Sequence, residues 1–195
     1  QLSNILLIIR NDEHIVPKSE TKLNENDQVY FVVETSHVKK AMTAFGHTEK
    51  ESTNVIIVGG GNIGYNLAKN IENDHKSVST KIIELNKERS SWLASNLSTT
   101  TVINGDALES DILDEVNTSL AGSFISVTND DEVNVLASLL AKRSGANESI
   151  ALINNSSYIS MLNNIGIDIT IDPKAITIST ILQKVRRGNI RSLYT

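Results

Sequence analysis

Three glycines lie between a run of residues typical of a strand and a run typical of a helix. Residues 55–58 are β-branched, and Gly59, Gly61 and Gly64 follow them before an amphipathic stretch over residues 63–73. In such a turn the first glycine permits a sharp bend, the second lets an anion approach the backbone, and the third lets the helix pack closely on the strand. Free N–H groups and the positive end of the helix dipole then face the anion. The spacing therefore predicts a turn that binds the phosphates of a dinucleotide.

Glu84 lies 20 residues after Gly64, at the end of the second predicted strand. A carboxylate at this point accepts hydrogen bonds from the adenosine ribose hydroxyls of a dinucleotide. It also repels a 2′-phosphate, so we expect NAD(H) to be preferred over NADP(H). The alternative is a domain that keeps its glycines for turn geometry and binds nothing.

Two further polar segments follow predicted strands, and each allows a binding and a structural interpretation. Asp106, which precedes Ala107, could accept a hydrogen bond from an adenine amino group or could cap a turn. Thr128 and Asn129 follow the fourth strand, and we expect them to contact the ligand because that strand ends at the switch point of the sheet. The acids that follow, at positions 131 and 132, are predicted instead to cap the next helix.

These residues are positioned by a regular alternation of strands and helices. The patterns predict strands over residues 55–58, 81–85, 100–104, 123–128, 149–153 and 167–171, and helices over residues 63–73, 88–97, 111–115, 132–142, 156–165 and 176–187. Such alternation predicts an α/β fold, a doubly wound parallel sheet of the Rossmann type with helices on both faces.

The first 46 residues have a different pattern of apolar and polar residues, which predicts a small α+β lobe. Strands are expected over residues 5–10 and 28–34, with a polar turn at residues 24–27 between them. Ser36 is the expected N-cap of a helix over residues 37–45, which Gly46 would end. Residues 47–53 form a polar connector, where we place a domain boundary.

Composition excludes several classes of protein. The 195 residues are 39% hydrophobic, which suffices for a packed core, and 18 basic against 23 acidic residues give a charge of −5. That balance disfavours a nucleic-acid-binding protein. The chain has no cysteine and four scattered histidines, so no metal site is predicted. We find no dehydrogenase constellation and no substrate domain after the predicted Rossmann unit, which favours ligand sensing over catalysis.

Several motifs in register resemble one family. These are residues 83–89, 105–107, 128–132, 140–143 and 167–169, within a similarity that extends from residue 54 to residue 195. They resemble the TrkA family, the cytosolic nucleotide-binding subunits of bacterial Trk potassium uptake, whose domains are called RCK or KTN.

The resemblance implies a domain organisation. Residues 1–46 look like the second half of the C-terminal lobe of a first, missing RCK unit, and residues 47–53 would be a linker. Residues 54–173 would form an NAD-binding RCK N-domain, and residues 174–195 a C-terminal helix leading to a missing lobe.

The resemblance also assigns site residues. Phosphates would be cradled by Gly59, Gly61, Asn62, Ile63 and Gly64; Glu84 would bind ribose; Asp106 and Ala107 would lie near adenine; and Thr128, Asn129 and Asp130 would line the far side. The chain has Asn155 where the family commonly has arginine, so one cation that could touch phosphate or a neighbouring subunit is absent.

The implied function is regulatory. A nucleotide, NAD(H) first and ADP or ATP second, would gate potassium transport by changing the arrangement of RCK lobes. The partner would be a transmembrane potassium transporter of the TrkH or TrkG type at the inner face of the plasma membrane. Self-association to dimers and tetramers is expected through the apolar faces of residues 176–185 and 1–46.

The alternative function is that of a fragment of an NAD-dependent dehydrogenase that lacks its substrate domain. The resemblance leaves open a related RCK domain of a potassium/proton antiporter.

Overall fold

The chain folds as two compact units, Gln1–Glu51 and Ser52–Thr195. The computed structural model describes residues 3–11, 13–46, 53–162 and 165–187. Apart from Thr53, the predicted connector over residues 47–53 lies outside the described residues.

The first unit is a three-stranded antiparallel sheet followed by a short helix. The strands are β1 (Ser3–Arg10), β2 (Glu13–Ile15) and β3 (Gln28–Val33), with β1 in the centre. The strand β2 was not predicted, because its three residues are too few to show an alternating pattern. The helix α1 (Val38–Ala44) begins after a 3₁₀ turn, Thr35–His37. The predicted cap at Ser36 is wrong, because Ser36 lies inside that turn and the N-cap position is His37, without a side-chain bond.

The turn before β3 uses asparagine where a left-handed residue is needed. Asn26 has φ 68°, a conformation that asparagine tolerates better than most other residues. The next residue, Asp27, receives two hydrogen bonds of 2.8 Å from the guanidinium of Arg10. This bidentate pair ties the turn to the end of β1.

The second unit is a six-stranded sheet in which every neighbouring pair is parallel. Its strands, in chain order, are β4 (Asn54–Val58), β5 (Ser79–Glu84), β6 (Thr101–Asn104), β7 (Ser123–Ser126), β8 (Glu148–Leu152) and β9 (Ile169–Ile171). In space their order is β6-β5-β4-β7-β8-β9. The chain therefore moves outward from β4 in one direction and then restarts beside it at β7, which leaves a crevice at the carboxyl ends of β4 and β7. The predicted doubly wound α/β fold is confirmed.

Among the described residues of this unit, six α-helices connect and cover these strands. They are α2 (Asn62–Asp74), α3 (Lys87–Asn96), α4 (Ser110–Glu115), α5 (Asp131–Arg143), α6 (Ser156–Leu162) and α7 (Pro173–Arg187). The core has two principal layers because β4 alternates its side chains. Ile56 and Val58 pack with α4 and α5, whereas Val55 and Ile57 pack with α2 and α3. Both faces of the central strand are thus buried, which is typical of a parallel sheet.

The helix α7 begins three residues before its predicted start at residue 176. The Asp172 carboxylate accepts hydrogen bonds from the N–H groups of Lys174 (2.9 Å) and Ala175 (3.0 Å). Proline suits the first helical position because its missing N–H has no partner there in any helix. Among the described side chains of α7, five large apolar ones are exposed: Ile176, Ile178, Ile181, Leu182 and Val185. Among the described residues, no helix has the length and apolar character needed to cross a membrane.

The contact of one half-buried carboxylate in this unit predicts how stability depends on pH. The carboxylate of Glu72, on α2, accepts hydrogen bonds from the N–H groups of Ser98 (3.0 Å), Thr99 (2.7 Å) and Thr100 (2.7 Å). Burial alone would raise the pKa of Glu72, but these bonds outweigh it and lower the pKa to about 2. The folded state therefore favours the charged carboxylate, and the stabilisation is complete above the unfolded pKa of about 4.3.

Glu72→Gln is expected to lower the free energy of unfolding by about 2 kcal/mol at neutral pH. The difference from wild type should shrink as pH falls from about 4.3 toward 2, because Glu72 becomes protonated in both states. Urea denaturation at several pH values measures it. Glu115→Gln, at an exposed position on α4, is the matched control with little expected change. A difference that stays constant down to pH 2 would contradict this account.

Candidate functional site

The glycine turn lies at the carboxyl end of β4 and is shaped by close backbone contacts. Gly59 has φ 95°, and a Cβ added there would lie 3.0 Å from Cγ2 and 3.1 Å from Cα of Thr128. A Cβ on Gly64 would overlap the carbonyl oxygen of Gly59. Gly61 differs, because a Cβ there would meet no atom within 4 Å. Two of the three glycines are therefore required by packing, whereas Gly61 faces open space.

Glu84 holds the same turn through its side chain. Its Oε2 accepts a hydrogen bond of 2.7 Å from the N–H of Gly60, and its Oε1 accepts one of 2.8 Å from the N–H of Asn86. Each carboxylate oxygen can accept a further bond. The arrangement leaves Glu84 able to accept ribose hydroxyls while it fixes the turn.

A cavity of about 450 Å³ opens at the carboxyl ends of the central strands. The predicted site residues that line it are Gly59, Gly61, Glu84, Asp106, Ala107, Thr128, Asn129 and Asp130. Asn62 and Ile63 instead line an adjoining space, together with Gly61 and Asn129. Gly64 is buried beneath the turn. The structure thus brings the predicted residues to one edge of the sheet. Gly64 contributes by allowing α2 to pack closely against the turn.

Asp106 fits both interpretations that the sequence allowed. Its Oδ1 accepts a hydrogen bond of 2.9 Å from the N–H of Leu108, which is a turn cap. The same residue lines the cavity beside Ala107. Apolar side chains, Ile83 and Val127 among them, line the same cavity, so it suits a flat heterocycle with polar edges.

A model of the TrkA-N domain family matches residues 55–173. The chain belongs to the TrkA-N domain family. The Trk system potassium uptake protein TrkA of Azorhizobium caulinodans is 38% identical over 193 residues, covering 99% of this chain and 42% of that protein. The chain spans about two fifths of the length of the curated relatives it matches.

Solved structures share the fold of this TrkA-N chain at lower sequence identity. The GsuK channel bound to NAD has a TM-score of 0.63 at 21% identity, covering 95% of this chain and 33% of that one. The GsuK structure bound to ADP has a TM-score of 0.56 at 20% identity, covering 70% of this chain and 34% of that one. These neighbours confirm a Rossmann-like architecture.

In this TrkA-N domain, the acid that caps α5 is not one of the two that the sequence predicted. The N-cap is Asp130, whose Oδ1 accepts a hydrogen bond of 3.0 Å from the N–H of Val133. The prediction that Asp131 and Glu132 cap the helix is therefore wrong. Glu132 accepts a hydrogen bond of 3.0 Å from the hydroxyl of Tyr158. The exact residue at which the helix begins decides which of these acids can reach the free N–H groups.

Asp131 is buried and holds the loop after β8. Its carboxylate accepts hydrogen bonds from the backbone N–H groups of Asn154 (2.9 Å) and Asn155 (2.8 Å). Burial would raise the pKa of Asp131, but these bonds produce a net lowering. Asp131 thus stays charged and links α5 to the neighbouring strand of the TrkA-N domain.

Asn134 fixes the wall formed by Thr128. Its Oδ1 accepts hydrogen bonds of 2.8 Å from both the N–H and the hydroxyl of Thr128. Its Nδ2 donates to the carbonyl oxygens of Thr128 (3.1 Å) and Leu152 (2.9 Å). Asn134 is fully buried, and its bond to Leu152 is buried with it, whereas its bonds to Thr128 are partly buried. The wall of the cavity is therefore held by one amide.

Arg89 is a cavity residue that the sequence analysis did not single out. It lines both the main cavity and the adjoining space beside Gly61. Its Nε donates a hydrogen bond of 2.7 Å to the carbonyl oxygen of Gly60, and its guanidinium carbon lies 4.2 Å from the ring centroid of Trp92. One feature of the sequence could have identified Arg89. It lies in the first turn of the helix after Glu84, and a long side chain at that position points back toward the end of the strand.

Proposed function

We propose that this chain is the nucleotide-binding part of a regulatory subunit of bacterial potassium uptake. The observation that carries the proposal is the convergence of the glycine turn, Glu84 and Asp106 on one cavity. Membership of the TrkA-N family supports it. The proposed activity is ligand binding and not catalysis, because the relatives are named as potassium uptake proteins.

NAD(H) is the proposed ligand, with ADP and ATP as ligands that share its adenosine phosphate portion. The N-cap of α2, Gly61, makes no side-chain capping bond, so the first N–H groups of the helix can donate hydrogen bonds to a phosphate. Asn62 and Ile63 belong to that first turn. Glu84 would bind the ribose, Asp106 and Ala107 the adenine, and the loop of Thr128, Asn129 and Asp130 the far side. The binding of NAD and of ADP by GsuK supports both ligand classes.

The proposed partner is a transmembrane potassium transporter of the TrkH or TrkG type, at the inner face of the plasma membrane. The names of the relatives support a place in such a system. The exposed apolar side chains of α7 support self-association to dimers and a tetramer. A nucleotide would shift the arrangement of subunits only by its difference in affinity between two states. We propose that this difference gates transport.

We also propose the domain organisation that the resemblance implies. Residues 1–46 would complete a preceding RCK lobe, and residues 47–53 would link it to the N-domain over residues 54–173. Residues 174–195 would lead to the lobe that follows. The sequence similarity to TrkA proteins over 99% of this chain supports this assignment.

Calorimetric titration of the chain with NADH, NAD+, NADPH, ADP and ATP tests the function. We expect saturable binding of NADH and ADP, with NADPH at least tenfold weaker because its 2′-phosphate meets the Glu84 carboxylate. In Glu84→Gln, NADH affinity should fall about tenfold and the discrimination against NADPH should largely disappear. Absence of saturable binding by every nucleotide would overturn the proposal. Binding with no effect of Glu84→Gln would move the ribose site elsewhere.

A further inference from the structure

The walls of the nucleotide cavity carry an unequal distribution of charge. Among the described residues that line the cavity and its adjoining space, the acidic side chains are Glu84, Asp106 and Asp130. Arg89 is the cationic side chain of that set. A phosphate placed here is therefore opposed by carboxylates, and the N–H groups of a helix terminus carry only partial charge. One full positive charge has a large effect in such a site.

Arg89 is held in place by groups that leave part of it free. Its Nε–H binds the carbonyl oxygen of Gly60, and the aromatic ring of Trp92 lies against its guanidinium. Within the described part of the chain, the two terminal nitrogens have no hydrogen-bond partner in the protein. An arginine carries five N–H donors, so most of its donors remain for a ligand.

The position of Arg89 indicates which part of a nucleotide it would meet. Glu84 accepts a hydrogen bond from the N–H of Gly60, and Arg89 donates one to the carbonyl oxygen of the same residue, so the two side chains bind the peptide groups on either side of the Gly60 Cα. Arg89 also lines the adjoining space with Gly61, Asn62 and Ile63, at the first turn of α2. The 5′-phosphates are expected at this helix terminus, on the far side of the turn from the ribose.

We propose that Arg89 is the residue that recognises the 5′-phosphates of the nucleotide, an inference that rests on the proposed function. Its anchored Nε–H fixes the guanidinium, and its terminal N–H groups donate charge-assisted hydrogen bonds to phosphate oxygens.

Titration of wild type and Arg89→Gln with ADP, adenosine and NADPH tests this role. Charge-assisted bonds of the usual strength predict a 10- to 30-fold loss of ADP affinity in Arg89→Gln, with adenosine changed less than about twofold. Arg89→Lys should retain ADP affinity within about fivefold, since the positive charge remains. Lys87→Gln removes a cation from an exposed position on the same helix and should bind ADP like wild type.

Four results would overturn the inference. Equal weakening of ADP and adenosine would mean that Arg89 only holds Gly60. A loss confined to NADPH would place Arg89 at a 2′-phosphate. Unchanged ADP affinity in Arg89→Gln, with wild type binding ADP, would refute this role and leave the proposed function standing. Wild type that binds no nucleotide would refute both the role of Arg89 and the proposed function.

Discussion

Replacing Gly61 with aspartate is expected to abolish nucleotide binding and to leave the fold intact. Gly61 is the N-cap of α2 and has φ −63°, which any residue adopts. A Cβ there would meet no atom within 4 Å, so the larger side chain has space. Aspartate is among the best N-cap residues, and its carboxylate would bind the free N–H groups of the first turn. The thermal midpoint should therefore stay equal or rise.

The same carboxylate occupies the groups that a phosphate needs and adds a negative charge beside it. Two like charges about 4 Å apart repel by about 4 kcal/mol at an effective dielectric constant of 20, so we expect at least a 100-fold loss of affinity for ADP and NADH. Calorimetry and thermal melting measure the two effects. Gly61→Ala is the control, because it adds a Cβ but no group that competes for the N–H donors. Gly61→Asp that binds ADP within threefold of wild type would show that phosphate binds elsewhere.

Gly64→Ala is expected to cause the largest loss of stability in the second unit. Its Cβ would overlap the carbonyl oxygen of Gly59, a backbone atom that cannot rotate away as a flexible side chain would. Cγ2 of Ile57 would lie 3.3 Å away, so the strand beneath offers no space either. The helix α2 must then move away from β4. Overpacking against fixed backbone costs about 3 kcal/mol or more.

Urea denaturation of Gly64→Ala measures this cost. Gly61→Ala makes the same chemical change on the same turn at an open position, and we expect its free energy of unfolding to lie within about 1 kcal/mol of wild type. Near-equal unfolding free energies for the two alanine variants would mean that α2 is not packed on β4 as closely as the structure has it.

The features that sequence reasoning predicted are those that local pattern determines. The order of strands and helices follows from hydrophobic periodicity, and the glycine turn with Glu84 follows from spacing along the chain. Asp106 and Thr128 were predicted for a similar reason, because residues that follow parallel strands meet at one edge of a sheet.

The features that were missed depend on contacts between distant parts of the chain. The contact of Arg89 with Gly60 spans 29 positions and that of Asp131 with Asn154 spans 23, so no local pattern reports them. The division of roles between Asp130 and Asp131 has another cause. Consecutive acids satisfy the same capping preference, and only the phase of the helix, which has an uncertainty of a residue or two in sequence, separates them.

The four hydrogen bonds of Asn134 also determine which parts of the site natural variation can change. Aspartate at position 134 would lack the two N–H donors, glutamine would be one methylene too long, and leucine would remove all four bonds to Thr128 and Leu152. Asn129 and Leu85 line the same cavity but are exposed, and the network around Asn134 does not depend on them. Descendants of this chain are therefore free to acquire a different ligand preference through such exposed positions, while the amide beneath them keeps the cavity in one shape.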